Sequence, residues 1–108
     1  MQLMTIGELF VSRVLNLNDI NTNSVTIRIG KPQNFPDGQD YYCPFQIIGI
    51  GDGKVTWAGG IDEIQALLLA LEQIGAFLRN SAEYQQGNLS WIGSKDGNLG
   101  FTLTDPDH

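Results

Sequence analysis

From Trp57 to Arg79 the chain reads Trp-Ala-Gly-Gly-Ile-Asp-Glu-Ile-Gln-Ala-Leu-Leu-Leu-Ala-Leu-Glu-Gln-Ile-Gly-Ala-Phe-Leu-Arg, one strongly apolar helix with its start signal in front of it. Asp62 followed by Gln65 has the spacing of a reciprocal cap, so the helix is expected to begin there. Gly59 and Gly60 let an extended chain turn sharply into it. At about 100° per residue, Ile61, Ile64, Leu67, Leu68, Leu71, Ile74, Gly75 and Leu78 share a stripe roughly 140° wide, the width of a core-facing surface. Burying its large aliphatic side chains at roughly 1.5–3 kcal/mol each is worth on the order of 10 kcal/mol gross. The opposite side carries Ala66, Leu69, Ala70, Ala76 and Phe77 among Glu63, Gln65, Glu72, Gln73 and Arg79. That is too apolar for a plain solvated face. Either a curved sheet and a C-terminal segment enclose the helix, or Leu69 and Phe77 belong to a partner surface.

The rest of the chain is dominated by a period of two. Leu9, Val11, Leu15 and Leu17 fall on one face of residues 8–17, and Val25, Ile27 and Ile29 alternate with Thr26 and Arg28. The Asn-rich residues 16–23 between them favour a loop. Residues 31–40, with Pro32, Pro36 and Gly38, form a second and longer loop. Residues 41–50 are apolar on both faces, as in a central strand, with Pro44 at a bulge or at the strand's beginning. Asp52-Gly53 signals a two-residue hairpin into Val55 and Trp57, and Asp96-Gly97 signals another between strands at 89–92 and 99–103. The expectation is a single α+β domain over residues 1–108. It has an antiparallel sheet of about six strands in the order β-β-β-β-α-β-β, with the long helix across one face.

Six basic residues stand against twelve acidic ones, a formal net charge of −6. Such a surface argues against a nucleic-acid backbone or an anionic membrane as ligand and suits a basic protein. The first ten residues lack a basic segment followed by an apolar one, so the expected location is the cytoplasm. Cys43 is the single cysteine and fits a reducing compartment.

Reactive groups are scarce. His108 is the one histidine and lies at the C-terminal end, where a fixed acid–base or metal geometry is not expected. Cys43 sits in an apolar run without a neighbouring base, the setting of an inert buried thiol. Gly49-Ile-Gly-Asp-Gly53 leads into a strand and not a helix, so it is a turn and not a phosphate loop. Nor do Asp62 and Glu63 leave the positive helix end free for an anion. Asp37, Asp40, Asp105 and Asp107 show no sign of converging as paired carboxylates. No catalytic residue, cofactor or metal site is assigned, and the chain is not expected to be an enzyme.

Cys43-Pro-Phe-Gln-Ile47, the hairpin, and Ala58-Gly-Gly-Ile-Asp-Glu-Ile-Gln-Ala-Leu-Leu-Leu-Ala-Leu71 together resemble a family of small bacterial domains of unassigned function. That family has a Cys-Pro strand and a Gly-Gly-x-Asp-x-x-Gln-Ala-Leu helix start. Some short acidic proteins of this kind are similar to immunity proteins of secreted bacterial toxin systems. The resemblance implies the α+β layout and binding to a toxin, and it carries no catalytic site. The expected function is neutralisation of a basic toxin domain, with a self-associating accessory module, possible as a homodimer, as the alternative. Asp37 and Asp40 are the leading partner-binding candidates because they lie in the longest loop. Glu72 and Phe77 join them if the outer helix face is open.

Overall fold

The computed structural model describes residues 5–18, 23–92 and 96–101. Residues 102–103 of the strand expected at 99–103, together with Asp105, Asp107 and His108, lie outside the described residues. The elements are β1 (Leu9–Leu17), β2 (Ser24–Gly30), β3 (Gln33–Asn34), β4 (Tyr41–Ile48), β5 (Val55–Gly60), α1 (Glu63–Arg79), α2 (Ala82–Gln85) and β6 (Leu89–Ser90). All six strands form one antiparallel sheet in the order β3-β4-β2-β1-β6, with β5 on the other edge of β4. The long helix packs over β4 and β5, an α+β arrangement as expected.

Alternation explains the central strands. Val25, Ile27 and Ile29 of β2 and Cys43, Phe45 and Ile47 of β4 point to the helix side and are buried. Pro44 occupies neither a bulge nor the strand's beginning. One edge of β4 pairs with β5 from Tyr41 to Gln46, while the other pairs with β3 at Tyr41–Tyr42 and with β2 from Phe45 to Ile48. Pro44 sits where that second edge changes partner, so the missing N–H interrupts no continuous ladder there.

Several boundaries differ from the sequence expectation. Five strands precede α1, because residues 33–34 within the long loop pair with β4. The β4–β5 connection spans residues 49–54 and is no two-residue turn. Gly49, Gly51 and Gly53 all take positive φ, and Ile50 between them is pulled into the core at 6% exposure. Ala82–Gln85 make a short second helix capped by Ser81, whose hydroxyl accepts from the Tyr84 N–H. Leu99 to Phe101 is not a strand. It is an irregular segment shaped by Asp96 and Asn98 side chains, which accept from the Asn98 and Gly100 N–H groups.

That segment covers the β1–β2 half of the core face. The Arg13 guanidinium stacks 4.2 Å from the Trp91 ring centre and 4.9 Å from that of Phe101, and its Nη1 donates to the Leu99 carbonyl at 3.2 Å. A charged strand residue thus pins the C-terminal segment to the sheet, through its planar face and its donors together.

The largest departure concerns which face of α1 is buried. Asp62 is the N-cap and Gln65 its reciprocal partner: Asp62 Oδ1 accepts from the Gln65 N–H at 2.8 Å, and Gln65 Oε1 accepts from the Ile61 N–H at 2.7 Å. The apolar stripe, however, is rotated. Ala66, Ala70, Ile74 and Leu78 are fully buried, whereas Ile61, Ile64 and Leu68 are 74%, 69% and 58% exposed. At about 100° per residue, the centre of this buried face lies roughly 90° from the centre of the expected stripe, with Ile74 and Leu78 common to both. The cause is close approach. A Cβ on Gly60 would fall 2.4 Å from the Ala66 nitrogen, so the first turns rest nearly backbone to backbone on β5. Only small residues fit between them, which turns Ala66 and Ala70 inward and the large side chains outward.

Candidate partner-binding surface

Among the described residues no group of three or more His, Cys, Asp and Glu side chains is placed to hold a metal ion. Cys43 is buried, its Sγ lies 3.5 Å from the Gly30 carbonyl oxygen, and burial pushes its pKa up to about 11. A thiol held neutral in this way is a poor nucleophile at neutral pH. The open cleft of about 490 Å³ between the β4–β5 connection and α1 is lined by Phe45, Ile47, Ile50, Lys54, Gln73 and Phe77 among others, without a nucleophile and base in contact.

Asp37 and Asp40 lie in the same exposed turn. The Phe35 N–H donates to the Asp40 carbonyl at 2.9 Å and the Gly38 N–H to the Phe35 carbonyl at 2.8 Å, while Asp37 Oδ1 accepts from the Gln39 N–H. The turn stands on an aromatic cluster: the Phe35 ring centre is 5.0 Å from that of Tyr42 and 5.3 Å, edge-on, from that of Trp57. Two carboxylates are therefore presented on an anchored loop. Because Tyr41 pairs with Gly60, this turn lies at the same end of the sheet as the start of α1. Leu9 pairs with Gly30 at that end too. Glu8, Asp37, Asp40, Asp62 and Glu63 thus gather around one end, where Lys31 is the basic residue among those described.

Glu72 and Phe77 do not join this group. Glu72 is exposed midway along α1, and the Phe77 ring lies against Gly51, at the far end of β4. With eight residues in β4, the separation is on the order of 25 Å. The outer helix face is open at Leu69 and Phe77, 36% and 43% exposed, while the C-terminal segment packs on another side of the helix, where Leu99 and Phe101 lie beside Gly75 and Arg79.

Sequence reasoning missed Ile61, Ile64 and Leu68 as surface residues. The signal that marks them is the spacing of small residues, Gly60, Ala66 and Ala70, which identifies the side of close approach. It likewise missed the cluster of Phe35, Tyr42 and Trp57, since their contact depends on strand pairing.

The family model described as Domain of unknown function (DUF6968) matches residues 11–103. The chain belongs to the DUF6968 family. The matched span runs from β1 through β6 and includes the covering segment at Leu99–Phe101, so the DUF6968 unit is the sheet, its helix and the strap that Arg13 holds. No curated protein and no solved structure matches the chain. Among the described residues of this DUF6968 domain no helix is long and apolar enough to cross a membrane.

Proposed function

We propose that this DUF6968 domain is a non-catalytic, acidic protein-binding module of the bacterial cytoplasm, an immunity protein that seats on a basic toxin domain and neutralises it. The observation that supports this reading best is the gathering of Glu8, Asp37, Asp40, Asp62 and Glu63 at one end of the sheet, with Asp37 and Asp40 on an anchored loop. Carboxylates so placed meet lysines and arginines that a toxin directs at its own substrate, and the attraction speeds encounter without any reactive group. Asp37 and Asp40 are the first proposed contacts, with Glu72 and Phe77 as a separate, secondary pair.

Coexpression with the toxin domain encoded next to the gene tests this. Protected cells and a complex isolated at low salt are expected, and Asp37→Asn with Asp40→Asn should slow association. Unprotected cells and no complex would remove the immunity reading.

A second reading, self-association, is favoured by β1. Among the described residues its outer edge pairs only at Asn16 and Leu17, with β6, and Leu9, Phe10, Val11 and Val14 are exposed along it. An apolar edge of this kind is a template for another strand. Sedimentation of the full chain distinguishes the two: a dimer broken by Val11→Lys would favour self-association.

A further inference from the structure

We infer that the exposed apolar surface at the start of α1, formed by Ile61 just before its cap and by Ile64 and Leu68 on the helix, seats a basic amphipathic segment of the partner protein. This rests on the protein-binding reading above but not on the partner being a toxin. Ile64 and Leu68, four residues apart, share one helix face, Ile61 immediately precedes the Asp62 cap, and each of the three is more than half exposed. Single exposed aliphatic residues are ordinary, whereas a contiguous row at helical spacing is the surface that helix-in-groove recognition uses. The row does not end in solvent. Leu71, one turn beyond Leu68, lines a cleft of about 370 Å³ with Val11, Ile29 and Phe101, so apolar surface runs from the helix down to the sheet.

Charge selects the occupant. Asp62, Glu63 and Glu72 lie on α1 or at its cap, Asp40 stands at the neighbouring loop, and no lysine or arginine occurs between Lys54 and Arg79, while Arg13, the cation that lines the cleft, is engaged by Trp91, Phe101 and the Leu99 carbonyl. A second copy docked here about a twofold axis would set these carboxylates against their own equivalents, a like-charge contact that disfavours the pair. An anionic lipid surface would be repelled in the same way. A segment with an apolar stripe flanked by lysine or arginine satisfies both the row and its rim.

The test titrates the isotopically labelled full chain with a synthetic Leu/Lys amphipathic peptide of roughly four helical turns, followed by methyl and amide resonances. Perturbations should centre on Ile61, Ile64 and Leu68 and on the Asp62 and Glu63 amides. Ile64→Ser combined with Leu68→Ser should weaken binding by roughly tenfold or more, the size expected for loss of central apolar anchors. Glu72→Lys should weaken it without removing apolar surface. A Ser/Lys peptide of equal charge and a Leu/Glu peptide should bind far more weakly, and Ile48→Ser, on the other sheet face, should change nothing.

Perturbations centred elsewhere, or equal binding by the Ile64→Ser, Leu68→Ser protein, would overturn the proposal. So would contacts from another part of the same chain to the Ile64 and Leu68 methyls in the free protein, or a dimer whose interface contains them. Failure of the toxin coexpression with the peptide still seated on α1 removes the immunity reading alone. A toxin complex formed while the peptide does not seat on α1 removes this surface alone.

Discussion

Gly60 and Cys43 show how single residues set the fit between helix and sheet. The missing side chain of Gly60 is what lets Ala66 come within backbone distance, and its importance is steric, since a Cβ there would meet the Ala66 nitrogen and Cα at 2.4 and 2.9 Å. Gly60→Ala is therefore expected to lower stability by about 1–3 kcal/mol through overpacking, read as a lowered urea midpoint with an unchanged slope. Cys43 is the titratable group of that same contact layer, paired with Ala58 across β4 and β5. Its pKa rises from 9.0 to about 11 through burial, so the folded chain holds the thiol proton more tightly than the unfolded chain. The resulting stabilisation is complete below about pH 9 and is lost as the pH climbs from about 9 to about 11, amounting to roughly 2–3 kcal/mol. Urea unfolding across that window should show a downward slope that is shallower in Cys43→Ala. Equal slopes would show that the thiol titrates normally.

The helix carries the sharpest consequence at the level of elements. Hydrophobicity alone ranks leucine above alanine, and a stripe drawn on that ranking places Leu68 in the core and Ala70 outside it. Packing reverses the two. Ala70 is fully buried and Leu68 is 58% exposed. Ala70→Asp should abolish cooperative folding, because an unpaired carboxylate in the core costs several kcal/mol against a total stability of about 5–15. Leu68→Asp should fold with a thermal midpoint within a few degrees of the parent, as surface substitutions cost about 0.5 kcal/mol or less. Far-ultraviolet circular dichroism melts of the two proteins decide the matter, and matching losses in both would restore the original stripe.

For the molecule as a whole, the uneven charge governs encounter more than fold. The carboxylates at the loop and helix start are exposed, so their attraction for a basic partner is screened beyond about 8–10 Å at physiological ionic strength. Association with the partner proposed above should slow steeply as salt rises, while dissociation, set by apolar contacts such as those of α1, should change little. Stopped-flow association and dissociation rates over a salt series check this. A salt-insensitive association rate would remove steering from the account.

The amino-acid sequence by itself determined the local features whose physics is local. The Asp62–Gln65 cap, the alternation of Val25, Ile27 and Ile29, and the α+β class follow from hydrogen-bonding side chains and periodicity within a few residues of each other. The tertiary structure alone decided the orientation of α1, the position of Pro44 and the gathering of carboxylates at one end. Each depends on a partner distant in the chain: Ala66 turns inward because Gly60 of β5 lets it approach, and Pro44 is tolerated where one edge of β4 passes from β2 to β3. Asp40 and Asp62 become neighbours of one surface because Tyr41 pairs with Gly60. Pairing and close approach are relations between segments, and a hydrophobic pattern, which records each residue's own preference for water, carries no term for the shape of what packs against it.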